Sequence, residues 1–189
     1  MNVELEKEFL EIIDEIVNSD EFKRRKTYLH HENESVYEHS LSVSYLSYRI
    51  AKYLHCDVKS ATIAGLLHDF YPYPWQYTEA EKILFQIPDR PKELLKQHGF
   101  THAREALENA RKYYPEYMNE RVEDAILRHM FPLNIHPPKY RESWIVTFSD
   151  KFVSAKVLKH PSQYYKYVGL EKIVKKFKKN YHKIFEKEV

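Results

Sequence analysis

Of 189 residues only 3 are glycine and 1 is cysteine, and the formal net charge is +2 with histidines neutral. So few glycines suit a compact, mostly helical chain better than a β-sandwich. The lone cysteine, Cys56, permits no internal disulfide, which makes a reducing cytoplasm the expected setting. The net charge is too small to argue for a nucleic-acid partner. No apolar run reaches the length of a membrane span, and the acidic amino terminus does not resemble a signal peptide. Neither a membrane nor export is therefore expected. The length supports one domain over residues 1–189 with a sizeable core and gives little reason for two.

What the chain does have is 16 tyrosines, 11 histidines and a hydrophobic share of 43%. The apolar residues recur at helical spacing, and the expected fold class is all-α. Leu5, Phe9, Ile12, Ile13 and Ile16 predict an amphipathic first helix. Residues 22–29 read as a second short helix, and 30–34 as a polar link. Ser35 and Glu38 form a capping-box pattern at the start of a helix to about residue 54. A small-residue helix after Asp57 ends in His68-Asp69, and Ala61, Gly65 and His68 place that histidine on an Ala/Gly stripe. Prolines at 72 and 74 forbid helix in the aromatic stretch 70–77, which is either a flap over the core or a stacking wall for a ring-bearing substrate. Short helical turns are expected at 78–85 and 92–97. Longer helices are expected at 102–113, 120–130 and 139–160. A last helix within 170–185 has Phe177, Tyr181 and Phe185 on one side and lysines on the other, a solvated face or a basic docking surface.

Several apolar stripes contain one residue that does not belong. His39 shares a stripe with Val43, Leu46 and Ile50, and His129 extends Val122 and Ile126. Asp150 interrupts Val146, Val153 and Val157. Asp is neither favoured within a helix nor tolerated bare in a core. A buried histidine bonded to backbone explains either histidine alone, but not the aspartate. Five helices each turning an imidazole or carboxylate inward (His39, His68 with Asp69, His102, His129, Asp150) are harder to explain that way. Such donors gathered from several helices suit first-row transition metals, and a carboxylate can bridge two ions.

The run Glu38-His39-Ser40-Leu41, then Gly65-Leu66-Leu67-His68-Asp69, then Thr147-Phe148-Ser149-Asp150-Lys151 resembles the HD-domain superfamily of metal-dependent hydrolases. The resemblance covers roughly residues 28–158 and implies a single-domain HD-type helical bundle. An amphipathic helix at about 168–187 follows that core. Gly99-Phe100-Thr101-His102 and Arg128-His129-Met130-Phe131-Pro132 are similar to the extra histidine segments of HD proteins that hold two metals. These include HD-type diadenosine tetraphosphate hydrolases, HD-GYP phosphodiesterases and mixed-valent di-iron oxygenases. Carried over, His39, His68, Asp69 and Asp150 bind one divalent transition metal (Fe, Mn, Co, Ni or Zn), and Asp69 bridges to a second on His102 and His129. Phe70-Tyr71-Pro72 follows the dipeptide where HD-GYP enzymes have glycine and lysine. Pro72 stands where HD-type deoxynucleotidases carry a glutamate. The aromatic loop and the His-Met-Phe-Pro run resemble bacterial HD proteins without an assigned substrate.

The resemblance implies a phosphohydrolase acting on a nucleotide or related phosphomonoester or phosphodiester. Two ions about 3.5–4 Å apart lower the pKa of a shared water, so that the attacking group is a metal-bound hydroxide. Asp69 and Lys151 are the expected catalytic residues. Lys151 and Arg128 are candidate phosphate partners, or else ordinary surface cations. His31 is a candidate proton donor to a leaving group, and Tyr73 and Trp75 are candidates for stacking on a base. A small-molecule phosphoester is the expected partner, and the oligomeric state is left open. Two other readings share these residues: a di-iron oxygenase and a non-catalytic nucleotide sensor.

Overall fold

The computed structural model describes residues 3–31, 34–74, 79–84, 87 and 98–159. Its helices over that range are α1 (Val3–Asn18), α2 (Asp20–Lys23), α3 (Val36–Tyr53), α4 (Val58–Leu67), α5 (Glu79–Leu84), α6 (His98–Tyr113), α7 (Glu120–Arg128) and α8 (Arg141–Lys159). A two-stranded antiparallel ribbon, β1 (Leu29–His31) with β2 (Glu34–Ser35), stands before α3. The fold is an all-α helical bundle, and the ribbon is its one extended element among the described residues. None of the described helices is long and apolar enough to cross a membrane. The expected turn at 92–97, Trp75 and the final amphipathic helix lie outside the described residues.

Helix α4 lies at the middle, and every residue from Ser60 to Leu67 is buried. Its apolar residues cover all sides, which is the pattern of a helix surrounded by others. The neighbours are α1, α3, α6, α7 and α8. Asp57 caps it by accepting from the Ser60 amide at 3.0 Å. The closest packing is with α3. A Cβ on Gly65 would lie 3.0 Å from Ser44 Cα and 3.1 Å from Ser47 Oγ, so any larger residue would have to push the two helices slightly apart. Ser44 Oγ donates to the Thr62 carbonyl across the same crossing at 2.8 Å.

Helix α3 begins with the expected capping box. The Ser35 hydroxyl accepts from the Glu38 amide, and the Glu38 carboxylate accepts from the Ser35 amide, each at 3.2 Å. Helix α1 seals one side through Phe9, Ile13, Ile16 and Val17, none more than 1% exposed. Each such side chain contributes about 1.5–3 kcal/mol on leaving water. Helices α7 and α8 close the other side, tied together by Asp124, whose carboxylate accepts from the Ser143 hydroxyl at 2.7 Å and the Lys139 amide at 2.9 Å.

Two local expectations are corrected. Residues 22–29 are not one helix: α2 ends after Lys23, a 3-10 turn follows over Arg24–Thr27, and the chain then runs extended into β1. The reason is tertiary. Tyr28 is fully buried against Val36 and Tyr71, and reaching that cluster takes its backbone out of the helical course. Within the expected link at 30–34, His30 and His31 belong to β1 and Glu34 to β2, so these residues pair as strands. Helix α6 starts at His98, not at His102. Gly99 falls in its first turn, where the amide hydrogens have no partner within the helix in any case, so a glycine costs less there than deeper inside.

Candidate metal centre

The inward-facing polar residues all reach one place. His39 comes from the second turn of α3, His68 is the C-cap of α4, and Asp69 is the next residue. His102 lies in the second turn of α6, His129 is the C-cap of α7, and Asp150 stands midway along α8. His39 and His68 are 0% exposed and His129 is 1% exposed. Asp69, His102 and Asp150 are buried to within a few per cent of that.

The atoms fall into two groups that share Asp69. In the first, His39 Nε2 is 3.1 Å from Asp150 Oδ1 and 3.9 Å from Asp69 Oδ2. His68 Nε2 is 3.4 Å from Asp69 Oδ2 and 3.6 Å from Asp150 Oδ1. In the second, the other oxygen, Asp69 Oδ1, is 3.5 Å from His102 Nε2 and 3.6 Å from His129 Nε2. Those two nitrogens are 3.1 Å from each other. Donor atoms held about 2.0–2.1 Å from a single ion stand about 3.0 Å apart on an octahedral edge and about 3.4 Å apart on a tetrahedral one. Both groups have spacings of that order. The triads His39, His68, Asp150 and His68, Asp69, His129 each bring one ligand-type atom per residue to within 4.8 Å of one another.

Protonation supports the same conclusion. His68 Nδ1 faces the Gly65 carbonyl at 2.9 Å, and His129 Nδ1 faces the Ile126 carbonyl at 2.8 Å. A carbonyl only accepts, so each Nδ1 carries the proton and each ring turns its Nε2 into the cluster. This is how proteins orient metal-binding histidines. Burial, with His68 beside it, pushes the His129 imidazole down to about 3, which keeps it neutral. His68 Nε2 is buried without a hydrogen-bond partner among the described residues, and it faces carboxylate oxygens that are themselves acceptors. A proton or a metal ion between that nitrogen and the oxygens satisfies both. Burial alone pushes the Asp150 carboxyl up, but His39 and His68 outweigh it and hold the group well below the ordinary carboxylate range. The donor set therefore fits a divalent transition ion, with Asp69 facing both positions.

Immediately past the dipeptide, three successive carbonyls are held by side chains from elsewhere in the fold. Asn109 Nδ2 donates to the Phe70 carbonyl at 2.9 Å, Arg25 Nη2 to the Tyr71 carbonyl at 2.9 Å, and the Tyr28 hydroxyl to the Pro72 carbonyl at 2.7 Å. Arg25 is fully buried, with its guanidinium carbon 3.9 Å from the centre of the Phe70 ring and Nη1 on the Glu21 carboxylate at 2.7 Å. Sequence reasoning passed over Arg25 and Asn109. Asn109 had a legible signal, since it follows His102 by seven residues on the same face of α6. Arg25 had none, because it sits in the basic run Arg24-Arg25-Lys26.

The remaining candidates are placed more loosely. Lys151 Nζ donates to the His129 carbonyl at 3.0 Å, and burial lowers its ammonium against the pull of Asp150. Arg128 is engaged with Asp124 Oδ1 at 2.6 Å and the Pro137 carbonyl at 2.7 Å, which braces the loop before α8 rather than reaching the cluster. Tyr73 is half-buried, just beyond the three held carbonyls. His31 belongs to β1, and nothing is described of its side chain.

Neither the curated proteins nor the solved structures contain a significant match to this chain. A family model described as the HD domain matches residues 36–155, well over half of the chain, and that span includes all six clustered residues. The chain belongs to the HD-domain family, whose members are mostly metal-dependent hydrolases.

Proposed function

We propose that the protein is a metal-dependent phosphohydrolase with a two-ion centre, acting on a nucleotide or a related phosphomonoester or phosphodiester. The observation that carries this reading is the Asp69 carboxylate, which turns Oδ2 toward His68 and Oδ1 toward His102 and His129. When bound, divalent ions would supply an activated water and neutralise charge on phosphoryl oxygens. His39, His68, Asp69 and Asp150 would hold one, and Asp69, His102 and His129 the other.

The protein's own part is to fix these donors and to steer substrate. The carbonyl contacts at His68 and His129 lock two rings with no rotation left to freeze on binding. Lys151 has three ammonium hydrogens, of which one is used on the His129 carbonyl, so the others remain for a phosphate oxygen beside Asp150. Tyr73 lies where the chain leaves the site and would meet the organic part of a substrate, with Trp75 two residues on in the sequence.

The test is metal content of protein purified without chelator, with phosphate release from a nucleotide and phosphoester panel on the same sample. About two ions per chain with phosphate released supports the proposal. Two irons with oxygen consumed and no phosphate released would replace it with the di-iron oxygenase. Nucleotide binding without turnover under any metal would leave a sensor.

A further inference from the structure

We infer that Arg25, Tyr28 and Asn109 are positioning residues that set the orientation of the Asp69 carboxylate by clamping the three carbonyls that follow it. The inference rests on the two-ion reading above. Helix α4 ends at Leu67, so Asp69 lies beyond the helical hydrogen-bond ladder and its direction depends on the path of the chain after it. That path is fixed from three sides: α6 holds Phe70 through Asn109, the turn after α2 holds Tyr71 through Arg25, and the residue before β1 holds Pro72 through Tyr28. The Phe70 ring is gripped as well, with the Arg25 guanidinium on it and the Phe22 ring stacked at 6.0 Å. Tyr71 stacks on Tyr28 at 6.3 Å and meets the His102 ring edge-on at 6.4 Å. The clamped segment thus forms a strap that continues directly from Asp69 and also meets His102.

The strap matters unequally to the two positions. If Asp69 turns, the first group keeps His39, His68 and Asp150, whereas the second keeps only His102 and His129. Loosening the clamp should therefore release the second ion and leave the first.

The experiment is manganese titration of the full chain, comparing wild type with Tyr28→Phe, Asn109→Ala and Arg25→Lys. Ile13→Val, a core change in α1, serves as a control for general destabilisation. The clamp variants are expected to bind the first ion as wild type does and the second about 10-fold more weakly. That is the low end of the effect of losing a hydrogen bond to a metal ligand itself, because these contacts act one to three residues past Asp69. Ile13→Val should keep both affinities. Equal binding of two ions by wild type and all clamp variants would overturn the inference, as would parallel loss of both ions. Wild type that binds fewer than two ions would instead overturn the two-ion reading, and the clamp with it. Should Arg25→Lys not fold, Tyr28→Phe removes a single oxygen and carries the comparison.

Discussion

His102 and His129 bring their Nε2 atoms to 3.1 Å of each other from helices α6 and α7, while His129 Nδ1 is committed to the Ile126 carbonyl. His129 Nε2 therefore presents a lone pair, and a proton on His102 or a metal ion must sit opposite it. If it is a metal ion, His102→Ala and His129→Ala each lower the bound metal by about one ion per chain and leave the protein folded. Elemental analysis of desalted samples checks this. Unchanged stoichiometry in both variants would show that a proton fills that space.

The two aspartates should differ in the same assay. Asp150→Asn weakens the first group, whose His39 and His68 contacts it shares, and leaves Asp69, His102 and His129 intact. It should keep about one ion. Asp69→Asn removes charge from both groups and should bind least of all, with phosphate release reduced to background.

Gly65→Ala tests the crossing of α3 and α4. The added methyl meets Ser44 Cα at 3.0 Å, and a backbone atom cannot swing aside as a side chain does. Overpacking of this kind costs about 1–3 kcal/mol, which in a chain of this size lowers Tm by roughly 2–4 °C per kcal/mol. Melting the metal-free protein measures the packing cost alone. Metal affinity should fall as well, because His39 and His68 ride on the two helices being pushed apart.

Glu142 makes the acid stability of the fold testable away from the metal centre. Burial raises its carboxyl, but the Asp57 amide at 2.9 Å and the Arg121 guanidinium at 2.7 Å outweigh that and leave it below the ordinary glutamate value. A carboxyl with a depressed folded pKa adds stability above its unfolded value of about 4.3, and this is lost as pH falls toward the folded value. Glu142→Gln should lower stability at neutral pH and flatten its decline below about pH 4.3. Urea unfolding at several pH values would show parallel curves if the prediction is wrong.

Much of this arrangement was legible in the sequence for a specific reason. His39 and Asp150 interrupt stripes of Val, Leu and Ile, and a polar residue in such a stripe must be buried with a partner. The Ala/Gly character of α4 likewise announced close packing, and Gly65 is where it occurs. The pairing of His102 with His129 came from the resemblance, because His102 was read as the start of its helix and actually lies a turn inside it. Arg25 and the ribbon were not legible. A basic run looks solvent-facing from its letters, and only the distant Phe70 and Tyr71 draw this one arginine inward while Tyr28 pulls the chain straight.

The Arg25–Glu21 contact explains how a guanidinium can stand fully buried beside the site. The two residues are one helical turn apart, whereas the Tyr71 carbonyl that Arg25 also holds is 46 residues away along the chain. The short contact thus supplies the counter-charge locally, and the long one ties the turn after α2 to the segment past Asp69. The guanidinium is buried matched with that counter-charge and lies on the Phe70 ring, which offsets part of its desolvation cost. Removing either partner of the pair would leave the other charge buried or half-buried beneath the segment that carries Asp69.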